Sequence, residues 1–452
     1  MTLENYTFKP RQYLHFDSPK SKASALALVT DPVRVARHSF YPFLGYTIKV
    51  RKIKRENGLR VKKIKERDIK IAAHGDAAIY SYYGKHLSQL YESRLKDVGL
   101  SDAVTAFRSL PEGGTNIDFA GDVFRFINGH RPCVALAFDV EKFFDTLDHN
   151  YLKDAWASVL DAERLPPDHF AVFRSLTRFS WVDREDAYKA LGISPHNPKP
   201  KGQNRRRLCK PEAFRGTIRG AGLLRWNPRI NEGRGIPQGS PMSAVLSNIY
   251  MLDFDRIMHE AVTAIGGLYR RYCDDIMIVV DLENREAIET LVYQRLEAIS
   301  LNANKEKTDR VAFQADLSAP SITPLQYLGF TFDGTRTLLR QGSLDRYYSK
   351  MRRGVSLAKQ TQRKFNRKEH RTGVPLTKLR RRKLHLQYSY LINRRRHGLS
   401  NSDPQANGNF LTYAYKAARK LKTPDIKHQV RNHWRKLNEE IAKPIHGQLT
   451  DC

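Results

Sequence analysis

The stretch "YRRYCDDIMIVV", Tyr269 to Val280, sets two adjacent aspartates between basic residues and an unbroken apolar run. Aspartate is depleted in strands, so the pattern predicts two strands over residues 268–282 with Cys273-Asp274-Asp275 at the bend. A hairpin turn can hold two carboxylates at the mouth of a sheet, where the flanking strands fix them. Like charges packed this closely are unfavourable unless a cation neutralises them. Magnesium does that, because it takes hard oxygen ligands. Two such ions about 4 Å apart can activate an attacking hydroxyl and stabilise a leaving pyrophosphate. A plain Asp-Asp turn has the same local look. The metal reading therefore demands a third carboxylate on a neighbouring strand.

"CVALAFDVEKFFDTLDH", Cys133 to His149, supplies it. Asp139 closes a short apolar run of strand type and precedes a helical segment. A strand end suits a metal ligand; a helix N-cap is the structural alternative. Asp145 and Asp148 fall within the following helix and read as caps or surface residues. Between the two carboxylate motifs lies "RGIPQGSPMSAVLSNIYMLDFD", Arg234 to Asp255, in which Pro237 to Pro241 form a turn feeding a helix. Gly239 lets backbone approach a ligand closely, and Gln238 offers a donor and an acceptor beside it. A turn-to-helix start without function looks similar.

The 452 residues are too many for one small core and suggest two to four domains or subdomains. Hydrophobic residues make up 40% and charged residues 28%, a soluble globular balance. The net charge of +31 attracts polyanions, with nucleic acid ahead of an anionic membrane face. No apolar run approaches the length of a spanning helix, and the N-terminus lacks a signal-peptide pattern. Cys133, Cys209, Cys273 and Cys452 share no CxxC spacing, against a zinc site or a disulfide framework. These features predict a cytoplasmic protein without membrane association.

Residues 49–70 alternate basic and apolar residues around Asn57-Gly58, as in a basic hairpin. Helical spacing covers residues 71–98, 147–195, 241–262 and 284–301. Residues 195–235, rich in Pro, Gly and Arg, read as a loop or insertion, and "PLQYLGFTFDG" reads as a strand pair. The mixture is α+β. No internal repeat of 20 to 50 residues is visible. Residues 335–452 hold 29 Lys and Arg against 7 Asp and Glu, a net of +22, leaving +9 for the other 334 residues. Tyrosines are interleaved there (Tyr347, Tyr348, Tyr388, Tyr390, Tyr413, Tyr415). Basic residues track phosphates and aromatics stack on bases, so this segment predicts nucleic-acid binding. A solvated helical face with ordinary core tyrosines is the alternative.

Taken in order, "FDVEKFFD", "IPQGSPMSAVLSN", "YCDD", "NANKEKT" and "LQYLGF" resemble the core of reverse transcriptases, over roughly residues 50 to 335. The resemblance implies a right-hand polymerase: N-terminal region and fingers over 1–130, a ferredoxin-like palm over 131–334 with the insertion at 195–235, and a basic, mainly helical thumb over 335–452. It implies that Asp139, Asp274 and Asp275 hold two magnesium ions, assisted by the Val140 carbonyl. Gln238 and Gly239 would position the incoming dNTP and template base. Phe144 would pack under the sugar and exclude a 2′-hydroxyl, although Phe143 or Phe144 could simply be core. Lys307 would protonate the leaving pyrophosphate, and Arg67 would contact the triphosphate. "YLGF" looks like primer-grip strands. The retron Val-Thr-Gly triplet and Asn-Ala-x-x-His motif are absent, as is the Cys pair of group II intron endonuclease regions. The wording is closest to bacterial defence-associated reverse transcriptases, of the unknown group and akin to abortive-infection enzymes. That implies cDNA synthesis on a noncoding RNA. The alternatives are template-independent DNA synthesis and an RNA-binding, maturase-like role.

Overall fold

The computed structural model describes residues 6–56, 59–108, 110, 113–200, 204–373, 377–390 and 408–444. Eleven strands follow one another along these residues: β1 (Phe43–Glu56), β2 (Leu59–Ile71), β3 (Cys133–Asp139), β4 (Ser180–Asp183), β5 (Arg225–Trp226), β6 (Leu268–Tyr272), β7 (Asp275–Val280), β8 (Asp309–Phe313), β9 (Leu325–Tyr327), β10 (Phe330–Phe332) and β11 (Thr337–Leu339). Helices fill most of the remainder, so the class is α+β as expected.

One four-stranded sheet has the order β6-β7-β3-β8. With helices inserted after β3 and after β7, its chain order is β-α-β-β-α-β, the ferredoxin-like arrangement. Strands β3 and β7 are buried along nearly their whole length. That is why they read as continuous apolar runs rather than alternating ones. A second sheet, β2-β1-β4-β5, carries the basic hairpin. β1 and β2 pair antiparallel from Leu44–Ile71 out to Glu56–Leu59. The reversal assigned to Asn57-Gly58 lies outside the described residues. β9, β10 and β11 form a three-stranded sheet, with β10 paired antiparallel to both neighbours.

The chain falls into two compact units. Unit 1 comprises Met1–Ser109, Phe138–Ile278 and Asn284–Thr308. Its longest helix, His74–Asp97, buries Tyr80, Tyr83, Leu87, Tyr91 and Leu95 on one side. Ala73 cannot cap that helix. Asp17 does so instead, accepting from the His74 and Gly75 amides at 2.8 Å each. Unit 2 comprises Leu110–Ala137, Val279–Glu283 and Asp309–Cys452. Beyond β11 it is helical: Gln341–Thr372, Arg381–Tyr388, Phe410–Lys420, Asp425–Val430 and His433–Ala442. The Lys359 ammonium ties two of these together by donating to the Glu440 and Lys443 carbonyls at 2.8 and 2.5 Å. Those carbonyls are end groups that the helix His433–Ala442 cannot satisfy itself. No helix among the described residues is long and apolar enough to cross a membrane.

Candidate active site

Hydrogen bonds within unit 1 bring the candidate residues together in two groups. The first surrounds Asp139, the last residue of β3. The Val140 amide donates to the Asp274 carbonyl at 3.1 Å. On the other side, the Asp139 carbonyl accepts from the Asn304 amide at 3.3 Å, and the Glu141 amide donates to the Asn302 carbonyl at 2.8 Å. Asp139 therefore sits between the Asp-Asp turn and the segment 302–304. Lys307 follows at once, in the 3-10 turn Lys305–Lys307; its side chain lies outside the described residues.

The turn joining β6 and β7 has only two residues, Cys273 and Asp274. Cys273 takes φ 61°, a left-handed conformation that side chains other than glycine adopt at a cost. This geometry suits a tight hairpin reversal. It leaves Asp274 in the turn and Asp275 at the first position of β7, exposed, while Ile276 to Val280 are all buried. The Cys273 thiol lies beside the Asp274 carboxylate. Burial and that neighbouring charge push the thiol far above its usual range, so Cys273 stays protonated.

The second group forms around the loop Arg234–Pro241. Its Ile236 amide donates to the Phe144 carbonyl and its Gly235 amide to the Leu147 carbonyl, each at 2.9 Å. Opposite, the Lys70 amide of β2 donates to the Gln238 carbonyl at 2.8 Å. Gly239 has φ 110°, and a Cβ there would come within 3.0 Å of the Lys70 carbonyl oxygen. Glycine is required on both counts. Phe144 and Gln238 are half-buried, and Arg67 is exposed on β2 opposite Ile48. Phe143 is 4% exposed and belongs to the core, with its ring centroid 5.6 Å from that of Phe144. Asp148 is a cap, accepting from the Asn150 and Tyr151 amides at 2.9 Å each.

Two features escaped the sequence reading. Lys70 is buried, with its ammonium 3.6 Å from the centre of the Trp181 ring. Burial lowers its pKa, against Asp68, Asp183 and Asp145, which raise it. Beneath the Asp-Asp turn, Arg271 is fully buried and pairs with the equally buried Asp255. Its Nε donates to Oδ1 and its Nη2 to Oδ2, each at 2.6 Å. Tyr269 donates its hydroxyl to the same carboxylate at 2.6 Å. The period-two alternation of β6 carries a partial signal for this. Arg271 shares a face with Tyr269 and Cys273, all three buried, while Arg270 and Tyr272 lie on the other face.

Among the described residues, no three His, Cys, Asp or Glu side chains gather closely enough to hold a metal ion. Magnesium does not demand such a cage. It keeps several waters and binds through one or two carboxylates plus substrate phosphates. Backbone bonds bring Asp139 and the Asp274–Asp275 turn onto adjacent strand ends as hard oxygen donors, which suits magnesium, but their three carboxylates do not converge as one ligand cluster.

Residues 207–332 match the family model described as reverse transcriptase (RNA-dependent DNA polymerase). That stretch therefore carries a reverse transcriptase domain by its match to the family model. The match takes in Gln238, Gly239, Asp274, Asp275 and Lys307; Asp139, Val140, Phe144 and Arg67 lie before it. No curated protein matches the chain. Among solved structures, it is similar to apo telomerase from Candida tropicalis truncated of its C-terminal domain. The TM-score is 0.38 and the identity 12%, over 65% of this chain and 57% of that one. It is also similar to telomerase from Candida albicans in complex with a fragment of telomeric RNA. Here the TM-score is 0.35 and the identity 13%, over 72% and 54% of the two chains. The chain thus spans little more than half the length of these two telomerase chains.

Proposed function

We propose that this chain makes cDNA on a dedicated noncoding RNA template, as a cytoplasmic enzyme of bacterial antiphage defence. The observation that carries the catalytic part is the backbone bond from Val140 to Asp274, which joins Asp139 to the Asp-Asp turn inside the stretch that matches the reverse transcriptase model. The defence role and the noncoding template rest on the motif wording alone.

In this reading Asp139, Asp274, Asp275 and the Val140 carbonyl would hold two magnesium ions. Bound there, the metal supplies neutralising charge for the triphosphate and favours the ionised hydroxyl. The primer 3′-hydroxyl gives its proton to water, its oxygen bonds to the α-phosphorus of a dNTP, the bond from that phosphorus to the bridging oxygen breaks, and pyrophosphate leaves. Lys307 gives it a proton. Gln238 and Gly239 place the base and sugar, and Arg67 steadies the triphosphate. Apart from that proton, the protein contributes positioning and charge compensation. Residues 1–130, 131–334 and 335–452 serve as fingers, palm and thumb.

The test is to purify the chain from its native host, with and without phage, and sequence the bound nucleic acid. One abundant small RNA with complementary DNA supports the reading. Homopolymer or random DNA favours untemplated addition, and RNA without DNA favours a binding protein.

Phe143 belongs to the core, which leaves the half-buried Phe144 as the candidate sugar gate. Phe144→Ala should lower the preference for dNTP over rNTP in kcat/KM by roughly 10- to 100-fold. An unchanged ratio removes Phe144 as the sugar gate. RNA affinity should fall steeply with salt, by about 0.7 in log–log slope per phosphate contact on single strands. A slope near zero would contradict the charge argument for residues 335–452.

A further inference from the structure

Arg271 does more than neutralise Asp255. Its Nη1 donates to the Cys273 carbonyl at 3.0 Å and to Asn248 Oδ1 at 3.1 Å. Asn248 in turn donates to the Ala106 carbonyl at 3.0 Å. The Arg271 backbone is held as well, with its amide on the Ala103 carbonyl at 2.8 Å and its carbonyl accepting from the Thr105 amide at 3.0 Å. Two motifs therefore meet at one guanidinium. Cys273 is the first residue of the Asp-Asp turn. Asn248 lies on the helix Ser243–Tyr250, which opens just after Gln238-Gly239.

A planar fork of donors can hold several acceptors in fixed relation, which a lysine cannot. The turn it grips is strained at Cys273, and a strained turn persists only when its surroundings over-determine it. The carboxylate of Asp255 is itself fixed by Tyr269 and the guanidinium, so the fork cannot swing.

We propose that Arg271 is a positioning residue for nucleotidyl transfer. Through the Cys273 carbonyl and Asn248, it sets the Asp274–Asp275 turn in register with the helix that carries the Gln238-Gly239 loop. This rests on the polymerase reading above. Arg271 touches no substrate; it acts through the turn.

The test uses the full chain, poly(rA)–oligo(dT) and dTTP with Mg2+, read as single-turnover incorporation. Arg271→Lys keeps the charge beside Asp255 and loses the fork. It should slow incorporation about 100-fold, the cost of a misplacement near 1 Å, with the dTTP and duplex Kd unchanged. Asn248→Ala should slow it about 10-fold, again without a change in Kd. Tyr83→Phe is the control. It removes a buried hydrogen bond to Asp168 of 2.6 Å, so it should lower stability and spare the rate. If Arg271→Lys and Asn248→Ala lose stability as Tyr83→Phe does but keep the wild-type rate, the proposal is overturned. If Arg271→Lys fails to fold, Asn248→Ala decides alone. A wild-type chain inactive both on poly(rA)–oligo(dT) and on the RNA that copurifies with it overturns the polymerase reading itself.

Discussion

Asp274→Asn combined with Asp275→Asn should abolish magnesium-dependent dNTP incorporation, with a fall of at least about 1,000-fold, while the chain stays folded. Asparagine has the shape of aspartate, so the two-residue turn and the Val140–Asp274 backbone bond are kept. What disappears is the negative charge that would hold a divalent cation against the triphosphate. That stabilisation is worth several kcal/mol, and each 1.36 kcal/mol is a factor of ten in rate. Single-turnover primer extension reads the rate, and circular dichroism reads the fold. Incorporation at wild-type speed would remove both aspartates from the site.

Asp255→Ala carries the largest expected loss of stability, about 3–5 kcal/mol. It strands the Arg271 guanidinium, fully buried, without a counter-charge, and it deprives the Tyr269 hydroxyl of its acceptor. The comparison variant is Glu439→Ala, which breaks a solvent-exposed pair with Arg435. Pairs of that kind are worth at most about 1 kcal/mol. Urea unfolding of the two variants should therefore differ by several kcal/mol. Equal midpoints would mean that the buried pair is replaceable by solvent, which full burial does not allow.

The strands that build the candidate site were legible because their chemistry is local. "CVALAFD" and "DDIMIVV" are apolar runs ending or starting in carboxylates, and only a doubly covered strand has that composition. The glycine at 239 was legible for the same reason, since a positive φ leaves few alternatives. The helix His74–Asp97 and the pair β9–β10 also followed from periodicity. Less legible were elements whose stability comes from distant partners. β4, four residues long, exists because it pairs in parallel with β1 at Phe43–Gly45, more than 130 positions earlier. Within 195–235, read as a loop, Phe214–Arg219 form a π-helical turn and Ile218 is fully buried among Leu14, Leu44 and Val182. No local pattern announces contacts of that range. Arg271 was hidden by its type. A charged residue next to another charged residue reads as surface, and only the partner Asp255, sixteen positions earlier on a helix, turns one of the two inward.

The interleaving of the two units bears on how the chain can be made and cut. Five passages lead from one unit to the other along the sequence, the last at Thr308–Asp309. During synthesis, unit 1 has all of its residues only once Thr308 has left the ribosome, by which time unit 2 has received just two short stretches. No single cleavage can release either unit whole. A fragment trimmed to residues 207–332 would carry parts of both, complete neither, and lack β3 with its Asp139.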